Sequence, residues 1–372
     1  MGDLLTLIQT TLFLLSAPWI ALQSPFNQES IQDSIQWRTG RELDKAVTIG
    51  ISGQWAEKPI ADLLQQFSRR QRIALFIDRR VDPTTKINLS ARNLTWEQLL
   101  LELGKPHGYF FCRIEDVYYF GPRDVCLTLP SVYGNLRNDL RSRRAELQVN
   151  WRLPVQTNWP RLSRPRQLLD ELGQEFNIEL LSTEQIRHDL WNRFESAPVP
   201  MMLKACLLTT GFDKTIVVSK TGSRMKVIGY PRVEKCDWSV KHLEDGKAAL
   251  RKIQLQHKGV KMRAVSRQSV EISGPVDAVF GAASALVAQQ SALVGSGTPT
   301  FTLELKGTRG AALATMAREL EVELKYDDGV KQVLAEFVER DFKDATVEDI
   351  IRGVLEGTEL EYKIDKKQLK IE

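Results

Sequence analysis

Thr95-Trp96-Glu97-Gln98-Leu99-Leu100 decides how this chain folds, and Thr346-Val347-Glu348-Asp349-Ile350-Ile351 repeats it. In both, a threonine precedes a helix whose apolar residues recur at i, i+3, i+4 and i+7. They are Trp96, Leu99, Leu100 and Leu103, then Val347, Ile350, Ile351 and Val354. Thr95 with Gln98 makes a capping box, in which side chains satisfy the first helical N–H groups, and Thr346 is the expected N-cap of the second helix. A middle copy, Val199, Met202, Leu203 and Cys206, keeps the spacing. Gly108, Gly211 and Gly357 follow the three helices and suit a chain reversal.

Working outward, each copy has the same order of patterns. An alternating strand opens it: Val47, Ile49, Ile51; Leu147, Val149, Trp151, Leu153; and Phe301, Leu303, Leu305. A first amphipathic helix follows, with Ile60, Leu63, Leu64, Phe67 in copy one and Leu313, Met316, Ala317, Leu320 in copy three. Copy two is looser, keeping Leu169, Leu172 and Phe176 but placing Gly173 in the stripe. A short strand then leads through an extended piece to the capped helix, and an alternating hairpin closes the copy: Tyr109–Arg113 with Val117–Phe120, Thr215–Val218 with Met225–Ile228, Leu360–Ile364 with Gln368–Ile371. The reading is an α+β chain of tandem βαββαββ modules at 47–122, 147–231 and 300–372.

A different unit interrupts the series at 232–291: helix Gly246–Ile253, strands Val260–Val265 and Ser269–Ser273, helix Val276–Gln290, an αββα order. Residues 123–146 read as a basic connector, 25–46 as a polar linker, and 292–299, with Gly295, Gly297 and Pro299, as a second linker. Hydrophobic residues at 42% and charged residues at 26% fit a globular chain, and a net charge of +4 is too small to argue for a nucleic-acid partner by itself.

The repeat resembles the short N-terminal domain shared by secretins and TonB-dependent transducers. Pro59-Ile60-Ala61-Asp62-Leu63-Leu64, Ile87-Asn88-Leu89 before Thr95–Leu100, and the closing hairpin carry the likeness, and Phe337-Val338-Glu339 through Ile351 repeats that order. Val270-Glu271-Ile272-Ser273-Gly274-Pro275-Val276-Asp277 makes the interrupting unit similar to the second periplasmic domain of secretins, which has a KH-like fold. The resemblance implies a periplasmic or cell-envelope location and a protein-docking role. The last strand of copy three closes the sequence at Glu372 with no pore domain after it, so a channel or transporter is not the expectation.

Leu4 to Leu22 carries no charge; as a helix it would reach about 28 Å, close to a bilayer core. Residues 1–24 therefore read as a signal peptide or a single-pass membrane anchor, an N-terminal hydrophobic helix in either case. No Lys or Arg precedes the stretch and no clean small-x-small site follows it, which favours the uncleaved form.

Residue patterns that carry chemistry are sparse. His107, His188, His242 and His257 never fall at i+3 or i+4 of one another, and Cys112, Cys126, Cys206 and Cys236 form no C-x-x-C, so neither metal nor other cofactor is expected. Whether the cysteines pair stays open, although Cys206 lies in a core stripe. Lys220-Thr221-Gly222 with Ser223 and Lys226 has the residue types of a penicillin-binding site, but in reversed order within one hairpin, which is turn chemistry. Arg137, Arg141, Arg143 and Arg144 form a basic cluster able to meet an anionic lipid or the acidic face of a partner, against the plainer reading of a solvated helix face.

The expectation is a non-enzymatic scaffold or protein-binding protein, exported or membrane-anchored, whose partners are envelope proteins and whose sheet edges accept a partner strand. The alternative is a nucleic-acid binder using the KH-like unit and the basic connector. A KH fold that grips RNA uses a G-x-x-G loop, and 233–290 has none.

Overall fold

The computed structural model describes residues 35–291, 300–319, 322–364 and 368–372. The hydrophobic stretch Leu4–Leu22 and the linker 292–299 lie outside the described residues. The protein is mixed α+β with several small sheets. Among the described residues no helix is long and apolar enough to cross a membrane.

Module 1 comprises α1 (Gly40–Ala46), β1 (Ile51–Pro59), α2 (Ile60–Gln71), β2 (Ala74–Ile77), β3 (Lys86–Leu94), α3 (Trp96–Gly104), β4 (Tyr109–Ile114) and β5 (Val117–Pro122). β1 and β3 form an antiparallel pair, while β2, β5 and β4 form a sheet in that order, β2 parallel to β5 and β5 antiparallel to β4. The capping box is present: Thr95 Oγ1 accepts from Gln98 N at 3.1 Å, and Gln98 Oε1 accepts from Thr95 N at 2.9 Å. Two expectations shift. Val47 caps α1 instead of opening a strand, and the end of the polar linker is helical, with Leu43 and Ala46 buried in the core.

The basic connector is for the most part α4 (Arg123–Ser142), a helix packed on β4 and β5 through Val125, Cys126, Leu129 and Tyr133. Module 2 follows with β6 (Pro154–Val155), α5 (Pro165–Phe176), β7 (Glu179–Leu181), β8 (Val199–Pro200), α6 (Met201–Thr210), β9 (Lys214–Val218) and β10 (Arg224–Gly229). Its pairings reproduce module 1: β6 with β8, and a β7-β10-β9 sheet with β7 parallel to β10. The alternating segment Leu147–Leu153 is not a strand. Trp151 turns inward and donates from Nε1 to Gly222 O at 2.9 Å, making the segment a plug.

The interrupting unit, called the KH-like unit after its sequence resemblance alone, is β11 (Lys235–Val240), α7 (Gly246–Gln254), β12 (Lys261–Ser266), β13 (Ser269–Pro275) and α8 (Val276–Val287), with an antiparallel β11-β13-β12 sheet. The two helices and the strands β12 and β13 stand within a residue or three of their expected bounds; β11 is additional. Module 3 contains β14 (Thr300–Thr308), α9 (Arg309–Glu319), β15 (Glu323–Tyr326), α10 (Lys331–Leu334), β16 (Phe337–Thr346), α11 (Val347–Leu355), β17 (Tyr362–Ile364) and β18 (Gln368–Ile371). It repeats the topology a third time, with β14 paired to β16 and a β15-β18-β17 sheet.

One device recurs where a strand becomes a helix. Pro59, Pro122, Pro200 and Pro275 each sit at the N-cap with φ between −52° and −58° and ψ between 133° and 141°, and none makes a side-chain cap. The ring fixes φ for the sharp change of direction and removes an N–H that the strand end could not satisfy.

Modules 1 and 2 and the KH-like unit share one continuous apolar cluster, whereas module 3 has its own, built on Leu313, Met316, Ile350, Ile351 and Leu369. The module 1 sheet is central to the larger core, and all four residues of β2 are buried. α2 and α3 cover one face; α4 and module 2 cover the other, where Phe76 meets Trp159 and Phe194 at 6.0 and 5.6 Å between ring centroids. Beside them the fully buried Asp78 carboxylate accepts Arg80 Nε at 2.9 Å and Nη2 at 2.6 Å, together with the Tyr119 hydroxyl. Arg80 then reaches into module 2, to Asp213 and, at 3.2 Å, to Thr210 O. Gly121 allows this crowding: a Cβ there would stand 2.6 Å from Asp78 Cβ.

Candidate docking groove

The KH-like sheet has two unlike faces because its strands alternate. Trp238, Ile272 and Met262 stand opposite one another, as do Val240, Val270 and Ala264, and α7 and α8 pack on the sheet. The other rows are Asp237–Ser273–Lys261 and Ser239–Glu271–Arg263, a polar face with Arg263 Nη2 2.7 Å from Glu271 Oε2. These rows border a groove of about 750 Å³, walled on the far side by Phe111, Arg113 and Glu115 of module 1 and by Pro130 of α4.

Aromatic packing holds the two walls in place. The Phe110 ring lies 5.3 Å from Trp238 and 5.1 Å from Phe280, while Arg123 stacks over Phe280 at 5.2 Å and pairs with Asp277 at 2.8 Å. Gln290, only 6% exposed, is the polar clamp. Its Nε2 donates to Glu97 Oε2 at 2.6 Å and Lys241 O at 2.8 Å, its Oε1 accepts from Thr95 Oγ1 at 2.9 Å, and its carbonyl accepts from Gln98 Nε2 at 2.7 Å. The capping box of α3 thus doubles as the seat of the KH-like unit.

Several groove charges are fixed. Glu97 also accepts from the Tyr118 hydroxyl at 2.9 Å, and Glu115 accepts from the Tyr133 hydroxyl at 3.2 Å and Arg137 Nη1 at 3.3 Å. Arg113 bonds Asp44 and donates to Glu115 O at 2.9 Å. Burial works against the Arg113 charge, but Tyr118 and Asp44 prevail and hold its pKa above the ordinary value. Burial likewise raises the Asp44 carboxyl, but Arg113 outweighs it and brings the pKa below 3.8. His242, in a left-handed backbone conformation with φ 61°, has its pKa lowered from 6.5 by burial, with Lys241 and Arg113 acting in the same direction and Glu97 and Asp44 opposing. Asp237, Lys241 and Lys261 line the groove and have no ion-pair partner among the described residues.

The basic cluster divides. Arg137 is tied to Glu115, and Arg143 pairs with Asp139 and donates to Val218 O of module 2 at 3.0 Å, whereas Arg141 and Arg144 are exposed. None of the four lines the groove. Sequence reasoning missed the groove because it missed β11, although Cys236, Trp238 and Val240 alternate with exposed Lys235, Asp237 and Ser239. All four cysteines are buried thiols. Burial pushes Cys206 up to about 12 and Cys236 up to about 11, so neither is a nucleophile near neutral pH. Among the described residues no cluster of three His, Cys, Asp or Glu is placed to hold a metal ion. No protein-family model matches the chain, and no curated protein matches it either.

Proposed function

We propose that the protein is a non-enzymatic scaffold of the cell envelope that docks protein partners, exported or anchored by residues 1–24. The observation that carries this reading is the fusion of modules 1 and 2 with the KH-like unit on one core. That fusion fixes a polar groove and the open strand β12 in a defined relation, and rigid presentation lowers the entropy cost of binding. The threefold module topology supports a chain assembled from secretin-type docking modules. Affinity capture from detergent-solubilised envelope, using the full chain, tests it. The expected result is a discrete protein partner that is lost on Asp237→Lys with Lys241→Glu. A chain that stays cytosolic and fully functional without residues 1–24 would overturn the proposal. Salt-dependent RNA retention unaffected by the groove variant would transfer support to the nucleic-acid alternative.

A further inference from the structure

We infer that β12 and the adjoining face of α7 form a docking edge for an acidic, extended peptide segment of a partner, which adds to the sheet as a fourth strand. The inference rests on the docking function proposed above and names the chemistry of the partner.

The first ground is backbone. β12 is the terminal strand of the β11-β13-β12 sheet and pairs only with β13. Among the described residues no main-chain group from outside β13 bonds to the main chain of Lys261–Ser266. Alternate N–H and C=O groups therefore face outward, the array that strand addition uses. A bulge between Ala264 and Ser266 turns Val265 out, leaving it 52% exposed.

The second ground is charge. The unit at 232–291 carries ten Lys and Arg against six Asp and Glu. Lys247, Arg251 and Lys252 on α7, Lys258 in the following loop, and Lys261 and Arg263 on β12 are all exposed. Of these only Arg263 has an ion-pair partner among the described residues, Glu271. Three of the six acids are already used: Asp245 caps α7, Glu271 holds Arg263, and Asp277 holds Arg123. α7 packs beside β12, so its cations flank the open edge. Cations along an edge strand repel neutral and basic strands through unpaired desolvated charge and admit one whose side chains bring carboxylates. Leu255, 83% exposed at the end of α7, offers an apolar contact beside them.

The probe is a labelled peptide of about eight residues alternating Glu and Val, long enough to cover one strand; the comparators are its Lys–Val counterpart and a single-stranded oligonucleotide. Anisotropy titration of the full chain should show the acidic peptide binding and the basic one failing. Amide exchange should slow within Lys261–Ser266. Arg251→Glu with Lys252→Glu, a surface change on α7, should weaken binding about tenfold. Val265→Pro should abolish the slowed exchange while thermal unfolding stays unchanged. Equal binding of the two peptides, tighter binding of the oligonucleotide, or peptide binding without protection of β12 each overturns the inference. If the envelope partner is still captured by both variants, docking stands and this edge is not its seat.

Discussion

Replacing Asp78 by Ala tests whether modules 1 and 2 are locked by a buried carboxylate. The substitution removes the acceptor of two Arg80 side-chain bonds and of the Tyr119 hydroxyl. Tyr119 is 0% exposed, so its hydroxyl would lose its partner without gaining water, at a cost of about 2 kcal/mol. The Arg80 side chain keeps 24% exposure and can hydrate in part, which adds about 1 kcal/mol and keeps the total near the low end for breaking a buried pair. The expected loss is about 3 kcal/mol, read as a lower urea midpoint at unchanged slope. Asp78→Asn keeps an acceptor for one of these donors and should lose about half as much. Asp213→Ala should cost below about 0.5 kcal/mol, because its side chain is 75% exposed and water screens the Arg80 contact. Equal losses for Asp78→Ala and Asp213→Ala would refute the argument, since the buried and exposed carboxylates would then count alike.

The remaining predictions concern the groove and its surroundings. His242 has its folded pKa lowered below the unfolded 6.5, so its fold prefers the neutral ring; stability is complete above 6.5 and falls as pH drops through the folded pKa. His242→Asn, which tolerates the left-handed backbone, should flatten that part of a pH–stability curve. Gln290→Ala should cost about 2 kcal/mol and speed amide exchange in the KH-like unit, because three hydrogen bonds of its side chain, one buried and two part-buried, are lost. Arg141→Ala and Arg144→Ala should leave the thermal midpoint within about 1 °C, whereas Arg143→Ala should lower it by more, since its side chain bridges α4 to module 2. Maleimide at neutral pH should label none of the four cysteines in the native protein and all four after denaturation.

The α+β class was legible because helix faces repeat at a fixed spacing and do not depend on distant contacts. Trp96–Leu103 and Val347–Val354 read correctly for that reason. What failed depended on neighbours. α4 carries a clear apolar stripe, but Pro130 and the arginines disguised it as a connector. α1 is seven residues long with two buried side chains, too short for periodicity to register. The alternation of Leu147, Val149 and Trp151 suggested a strand, yet Trp151 buries itself against the Gly222 turn and the backbone follows. β11 could have been read from its alternation, but the groove itself could not, because it arises where β4 and β11 come together and sequence periodicity carries no information about which modules touch.

The clamp at Gln290 has a consequence for how the chain can be made. Its bond to Glu97 spans 193 residues, and the Phe110 ring is closed over by Phe280 and Trp238 from the same late segment. When the ribosome has finished module 1, the Phe110 side of that module still lacks the aromatic cover that Trp238 and Phe280 supply. The nascent chain must hold that surface out of solution, or lend it to a chaperone, until the KH-like unit emerges. Newly made protein should therefore be most vulnerable to aggregation in the interval between residues 122 and 290, and a stop codon placed between residues 231 and 290 should yield an insoluble product even though modules 1 and 2 are complete.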